Sequence, residues 1–402
     1  MTVVKSTNEA HRRRRNLRLL WISQFVNTTG LMLLVPIMPL HMEQLGADPQ
    51  VVGLWAGAAI AAPALPLAVT TPLWGRLGDR IGRKWMVVRA LAGLALAMLV
   101  MAFAPTPAVF MLARLLQGSV GGVVEAAASF VGAERDDNRQ GSALGRSYSA
   151  TAAGSLAGPI AGGFLVGSSY LPLLLTAVGA AAALMAVLCS LKLEQQHQRP
   201  PAHQVLNRTS GEGKSIRLLG WQMLLAAFFA YFGVYGLIPV FAEHVAQLVT
   251  SPSSVGPWTG VLHAVMWLGT FFGSFWWGRF NDRTHNPLTT LTIAGAITAV
   301  AIVGQAVIPW VLALGPLRFI QGFAFAAIAQ SVILHAGSRA PNGRQAEQIG
   351  LANSALLVGQ FIGPLTAGAL LAFTTSQLAV LMTGLAVALS VPLAALARRR
   401  TP

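Results

Sequence analysis

The chain has 402 residues, 54% of them hydrophobic and only 10% charged, with a mean hydropathy of +0.60. Soluble domains carry roughly 25% charged residues, so a soluble fold is excluded because it would lack a wettable exterior. The net charge of +15 raises the possibility of a polyanion partner, which the placement of the charges rules against.

Each membrane crossing needs about 20 apolar residues. Apolar runs predict spans at 17–41, 52–74, 85–104, 107–132, 143–167, 170–191, 217–242, 257–277, 288–308, 310–335, 348–373 and 376–396. Each must be a helix, because hydrocarbon leaves no other partner for backbone groups. The basic N-terminal segment has the charge of a signal peptide, but the run after it is too long for one and no small-residue cleavage site follows. It reads as the first span, retained.

The basic residues cluster in the N-terminal segment, at 76–89, 135–146, 192–217, 279–283 and 339–344, and at 398–400. Only Arg114 and Arg318 lie elsewhere, inside spans four and ten. Each cluster falls at a terminus or after an even-numbered span, the positive-inside pattern. It predicts an even number of spans, with both termini and the central loop in the cytoplasm. Contact with anionic lipid explains the basicity, with no nucleic-acid partner. The single cysteine, Cys189, excludes an intramolecular disulfide.

The sequence repeats itself. Pro36 and His41 recur as Pro239 and His244, and Gly75-Arg76-x-x-Asp79-Arg80 recurs as Gly278-Arg279-x-x-Asp282-Arg283. Arg114-x-x-Gln117-Gly118 recurs as Arg318-x-x-Gln321-Gly322, and Gly154-x3-Gly158-Pro159 as Gly359-x3-Gly363-Pro364. Matched motifs in one order at a near-constant offset indicate duplication. The expected fold is therefore all-α, with twelve transmembrane helices in two pseudo-symmetric six-helix bundles. Residues 1–192 form the first bundle, 193–216 a cytoplasmic linker and 217–402 the second bundle. One protomer suffices for this architecture.

The segment after span two reads Gly75-Arg76-Leu77-Gly78-Asp79-Arg80-Ile81-Gly82-Arg83-Lys84. Span one ends Val35-Pro36-Ile37-Met38-Pro39-Leu40, span four carries Arg114-Leu115-Leu116-Gln117-Gly118, and span five carries Gly154, Gly158, Pro159, Gly162 and Gly163. Together these resemble the major facilitator superfamily, in particular its 12-span drug:proton antiporters. The resemblance implies a proton-gradient-driven exporter of small lipophilic compounds, in a bacterial inner membrane or comparable cell membrane, without a cofactor. A dedicated exporter of one metabolite, such as a siderophore or sugar-like product, is the alternative. It also implies that Asp79 contacts the cytoplasmic end of a second-half helix. A helix N-terminus would favour this, and the start of span eleven near Glu347 is the candidate partner. Gly75, Asp79, Arg80, Gly82, Arg83 and the repeated Asp282 are the expected gating residues. Alternatively, the segment is a basic loop that only sets orientation. Its glycines are expected to permit a tight reversal.

Glu125 is the one carboxylate well inside a span. A carboxyl group kept from bulk water holds its proton more tightly, which makes Glu125 the candidate proton-coupling residue. Solvation from the cytoplasmic side, or pairing with a nearby Arg such as Arg135, is the alternative. On a continuous helix Arg114 and Glu125 would share one face about 16 Å apart, together with Gln117, Gly121 and Ser129. That stripe would line the cavity, unless Arg114 only ties two helices together. Where several relatives carry an acid in span one, this chain has Asn27, which cannot carry a proton. Asn27, Arg114, Gln117, Tyr231, Tyr235, Arg318 and Gln321 are the candidate substrate contacts. The glycines of span five suit close packing, either as a seal between halves or as ordinary membrane packing. No metal-ligand spacing and no catalytic constellation appears, so an enzyme is not expected.

Overall fold

The computed structural model describes residues 2–48, 52–132, 140–163, 171–194, 220–251, 254–341, 344–371 and 373–399. Among them are fourteen α-helices and no strand. They are α1 (Thr2–Gln44), α2 (Val52–Ala61), α3 (Ala64–Ile81), α4 (Arg83–Ala102), α5 (Pro107–Val120), α6 (Val123–Gly132) and α7 (Gln140–Gly163). Then follow α8 (Leu171–Lys192), α9 (Trp221–Leu248), α10 (Val255–Thr284), α11 (Pro287–Val307), α12 (Leu314–Arg339), α13 (Gln345–Leu370) and α14 (Ser376–Arg399). Two pairs, α2–α3 and α5–α6, are broken single crossings, so the fourteen helices make twelve spans. Most of the expected linker lies outside the described residues.

The breaks have identifiable causes. Pro63 has no N–H to give the Ala59 carbonyl one turn back, and the chain restarts as α3 at Ala64. Gly121 and Gly122 separate α5 from α6, with Gly122 at φ +83°, a conformation that suits glycine. Polar side chains satisfy the carbonyls that the breaks release. Arg114 Nε donates to the Ala59 carbonyl at 2.8 Å. Arg89 Nη1 donates to the carbonyls of Val120 at 2.9 Å and Gly121 at 3.0 Å, and Trp74 Nε1 to that of Ser119 at 2.8 Å.

The segment Gly75–Ile81 is helical, not a loop. The reversal falls on Gly82 alone, at φ 105°. Gly75 serves close packing instead: a Cβ there would run into the backbone of Ala346 and Glu347. The equivalent segment Gly278–Asp282 is also helical, within α10, and the turn comes at His285.

Within the first bundle α1 packs on α7 and α4 on α8; within the second, α9 packs on α13 and α14, and α10 on α12. The bundles meet through α7 against α10 and α3 against α13, with α6 touching α12 and α13. These contacts gather at the end carrying the basic clusters. Down the α3–α13 seam, Ala346 faces Gly75, Gly350 faces Thr71, and Ser354 Oγ donates to the Ala68 carbonyl at 2.7 Å. On the other seam Gly141 and Gly145 press on the backbone of Gly278 and Ser274. Gly154 and Gly158, about two and a half and three and a half turns farther along α7 than Gly145, press on α1 at Thr28, Thr29 and Met32. They pack inside their own bundle and do not sit between bundles.

That division makes a prediction. Gly154→Val forces a side chain into an intrabundle contact and should lower stability by about 1–3 kcal/mol, read as a lower Tm. Gly145→Val forces one between the bundles. In a Cys189→Ser background it should speed maleimide labelling of Ala346→Cys several-fold, with little change in Tm. Equal Tm losses and unchanged labelling would contradict the assignment.

Candidate functional site

Two carboxylates hold the bundles together at the basic end. Asp79, at the end of α3, accepts from the N–H groups of Ala346 at 3.2 Å and Glu347 at 3.0 Å, the first turn of α13. Asp282, at the end of α10, accepts from the N–H groups of Gly141 at 2.6 Å and Ser142 at 2.9 Å, and from Ser142 Oγ, in the first turn of α7. Each acid therefore caps a helix of the opposite bundle. The four amides at a helix N-terminus lack internal partners, and the helix dipole adds attraction for an anion there.

Cations surround the first of these contacts. Arg83 bonds Asp79 at 3.3 Å and reaches across to Gln345 Oε1 at 3.0 Å. Arg76 crosses to Glu347 at 3.1 Å, and Arg344, at the N-cap of α13, holds the same carboxylate at 2.8 Å. Arg80 is exposed and Gly82 forms the turn. The expected partner of Asp79, the start of span eleven, is the one found.

Next to this latch, a narrow open crevice with a cavity volume of about 30 Å³ runs between α3, α4, α6 and α13. Leu67, Thr71, Trp74, Arg89, Glu125 and Asn353 are among its lining residues. Glu125 is partly exposed and occupies the first turn of α6, where the helix dipole favours a carboxylate. No ion pair within 4.0 Å involves it among the described residues. Arg89 is within electrostatic reach, but that guanidinium caps α5 and stacks 4.0 Å above the Trp74 ring. The expected partner Arg135 lies outside the described residues.

On its other side Glu125 is within electrostatic reach of Tyr148 on α7 and Tyr231 and Tyr235 on α9. Tyr231 and Tyr235 pack 5.2 Å apart and meet the Phe325 ring at 5.4 and 6.0 Å. Their hydroxyls and that of Tyr148 make no hydrogen bond to the described residues. Both bundles thus contribute aromatic faces and free hydroxyls around one carboxylate. The sequence reading singled out Tyr231, Tyr235 and Glu125 and missed Tyr148, Phe325, Asn353 and Arg89. The signal for Tyr148 was scarcity, since the chain has four tyrosines and three converge here.

Other expected contacts lie apart. The break at Gly121–Gly122 removes the continuous face that was to join Arg114 to Glu125. Arg114 is buried and bonds the Ala59 carbonyl and Gln117 Oε1, the latter at 2.8 Å. Asn27 is buried on α1 beside the residues that Gly154 contacts. Arg318 lies within the second bundle, 3.3 Å from the Phe241 ring centroid, and bonds Gln321 Oε1 at 3.1 Å. Gln321 is bonded in turn by Gln305, whose carbonyl holds His244. Pro159, Gly162 and Gly163 continue α7. No cluster of three potential metal ligands occurs among the described residues.

The sequence model of the Major Facilitator Superfamily matches residues 20–225 and again 223–402. The staphyloferrin B transporter of Staphylococcus aureus is 34% identical over 386 residues, covering 94% of this chain and 91% of its own. A multi-drug resistance efflux pump PmrA homolog of Lactococcus lactis is 27% identical over 379 residues, covering 94% and 93%. The multidrug resistance protein MdtG of Citrobacter koseri is 28% identical over 326 residues, covering 79% of each chain. The human organic anion transporter MFSD10 has a similar fold, with a TM-score of 0.78, 18% identity and coverage of 95% of this chain and 99% of that one. The proton:xylose symporter XylE gives a TM-score of 0.75, 13% identity and coverage of 98% and 96%. With both bundles matched, this chain belongs to the major facilitator superfamily and is a multi-pass membrane transporter, not an enzyme.

Proposed function

We propose that the chain is a proton-coupled exporter of small lipophilic molecules, working as a monomer by alternating access between bundles 1–192 and 217–402, joined by linker 193–216. The observation that carries this reading is the placement of Glu125. It is a carboxylate with no ion pair among the described residues, in a crevice between the bundles, between the Asp79 latch and the tyrosine cluster. A proton and a substrate competing for that position would be exchanged across the membrane as the bundles rock.

The positive-inside pattern puts the basic end, both termini and the latches in the cytoplasm of a cell membrane. With that end closed, an outward-facing or occluded state is the reading that fits this orientation. Asp79, Asp282, Gly75, Arg80, Gly82 and Arg83 then form the gate. The aromatic faces of Tyr148, Tyr231, Tyr235 and Phe325 would take an apolar ring system, and the free hydroxyls would bind its polar groups. A second reading, a dedicated exporter of one metabolite, is favoured by one comparison. The 34% identity to a siderophore transporter exceeds the 27% and 28% identities to the drug pumps.

Three outcomes are expected in energised cells. Wild type extrudes a lipophilic cationic dye, and a protonophore stops it. Glu125→Gln at equal expression lowers the gradient-driven rate by about 100-fold or more, the low end for loss of a proton-transfer group. Asp79→Asn lowers the rate but leaves its dependence on the gradient. Gradient-driven efflux that tolerates Glu125→Gln would overturn the coupling assignment. No dye movement, with gradient-dependent release of a cellular metabolite, would favour the second reading.

A further inference from the structure

The latch and the carboxylate share a helix. Asp79 holds the first amides of α13, and Asn353 lies on the same helix about 10 Å farther along at 1.5 Å per residue. Asn353 is 6% exposed and lines the crevice with Glu125. Its side-chain amide is within interaction range of the Glu125 carboxylate, yet its buried Nδ2 makes no closed hydrogen bond. An orphaned donor in a membrane interior is costly. The donor lies beside a carboxylate with free acceptor capacity, and the two come from opposite bundles. Their neighbours on the α13 face, Gly350 and Ser354, are seated against α3. Asn353 thus cannot leave Glu125 unless α13 leaves the first bundle.

We infer that Asn353 is the positioning residue through which the protonation of Glu125 sets the stability of the Asp79 latch. An ionised Glu125 accepts a charge-assisted hydrogen bond from Asn353 Nδ2 and adds to the closure of the basic end. Protonation leaves a neutral pair, which is roughly half as strong. A proton arriving from the outer side would then loosen the basic end, and parting of the bundles would remove Asn353 from the carboxyl group. The other groups facing Glu125 are Arg89 from α4, Tyr148 from α7, and Tyr231 and Tyr235 from α9. Arg89 stays in the first bundle on its backbone carbonyls, so it does not change with the state. Tyr231 and Tyr235 move with the second bundle but stay neutral. This inference rests on Glu125 as the proton-binding group.

The test uses full-length protein in lipid nanodiscs with spin labels at Ile81→Cys and Ser338→Cys, in a Cys189→Ser background. Both sites are exposed near the basic end, one in each bundle. The distance distribution is followed from about pH 8 to about pH 5, which spans the range of a buried carboxyl group. In wild type the ratio of open to closed distances should rise roughly tenfold on acidification, the difference between a charged and a neutral hydrogen bond. Asn353→Leu, and the smaller Asn353→Ala in case Leu does not fit, should open the basic end already at high pH and flatten the response. Glu125→Gln should also be flat, and adding Asn353→Leu to it should leave the pH response flat while shifting the ratio less than Asn353→Leu does in wild type at high pH. A wild-type response in both Asn353 variants, with a flat Glu125→Gln, overturns this inference alone. A wild-type response in Glu125→Gln overturns the proton-site reading as well.

Discussion

A carboxylate of each bundle caps a helix of the other, and the closed basic end depends on this reciprocal contact. Asp79 holds the start of α13, and Asp282 holds the start of α7. The physics suits a joint that must open. A charged cap uses amides that are already orphaned, so no internal hydrogen bond is sacrificed when it forms or breaks. The dipole contribution is about 0.3–2 kcal/mol per site, small enough for cycling. Moving a two-state equilibrium from one extreme to the other takes about 5.5 kcal/mol, so two such caps bias the closed state without locking it. The glycines of both seams allow the backbones to come close enough for the caps to reach.

Most of the intramembrane cations are occupied by the fold itself. Arg114 replaces the hydrogen bond that Pro63 cannot make, Arg89 closes the end of α5, and Arg318 lies against Phe241 and Gln321. Breaks in a membrane helix expose carbonyls that water cannot satisfy, and a guanidinium with five donors serves well. Among the described residues this leaves Glu125, beside the crevice between the bundles, as an intramembrane carboxylate that no ion pair holds. The broken fourth span also sets its position, because the restart at Val123 puts Glu125 in the first turn of a new helix.

The spans, the duplication and the Asp79 contact with span eleven were legible because each rests on a pattern that local sequence carries. These are apolar run length, repeated motifs, and an acid among cations next to a helix start. The helical state of Gly75–Ile81 was not legible. Glycine permits a turn and also permits close packing, and only the neighbouring Ala346 backbone decides between them. The separation of Arg114 from Glu125 was missed for a related reason, since a helical wheel assumes an unbroken helix. Two adjacent glycines permit the break, and Trp74 and Arg89, brought from other helices, satisfy the carbonyls it frees. Tyr148, Phe325 and Asn353 were missed because their importance comes from the meeting of distant helices.

Hydrogen exchange at the capped amides measures the central claim directly, that acids of one bundle hold the helix starts of the other. In lipid nanodiscs the amides of Ala346 and Glu347, and of Gly141 and Ser142, should be protected in the wild-type protein. Asp79→Asn should speed exchange at the first pair and Asp282→Asn at the second. Each change should weaken the other pair as well, because both caps close one interface. Exchange at both pairs that is indifferent to both substitutions would contradict the account.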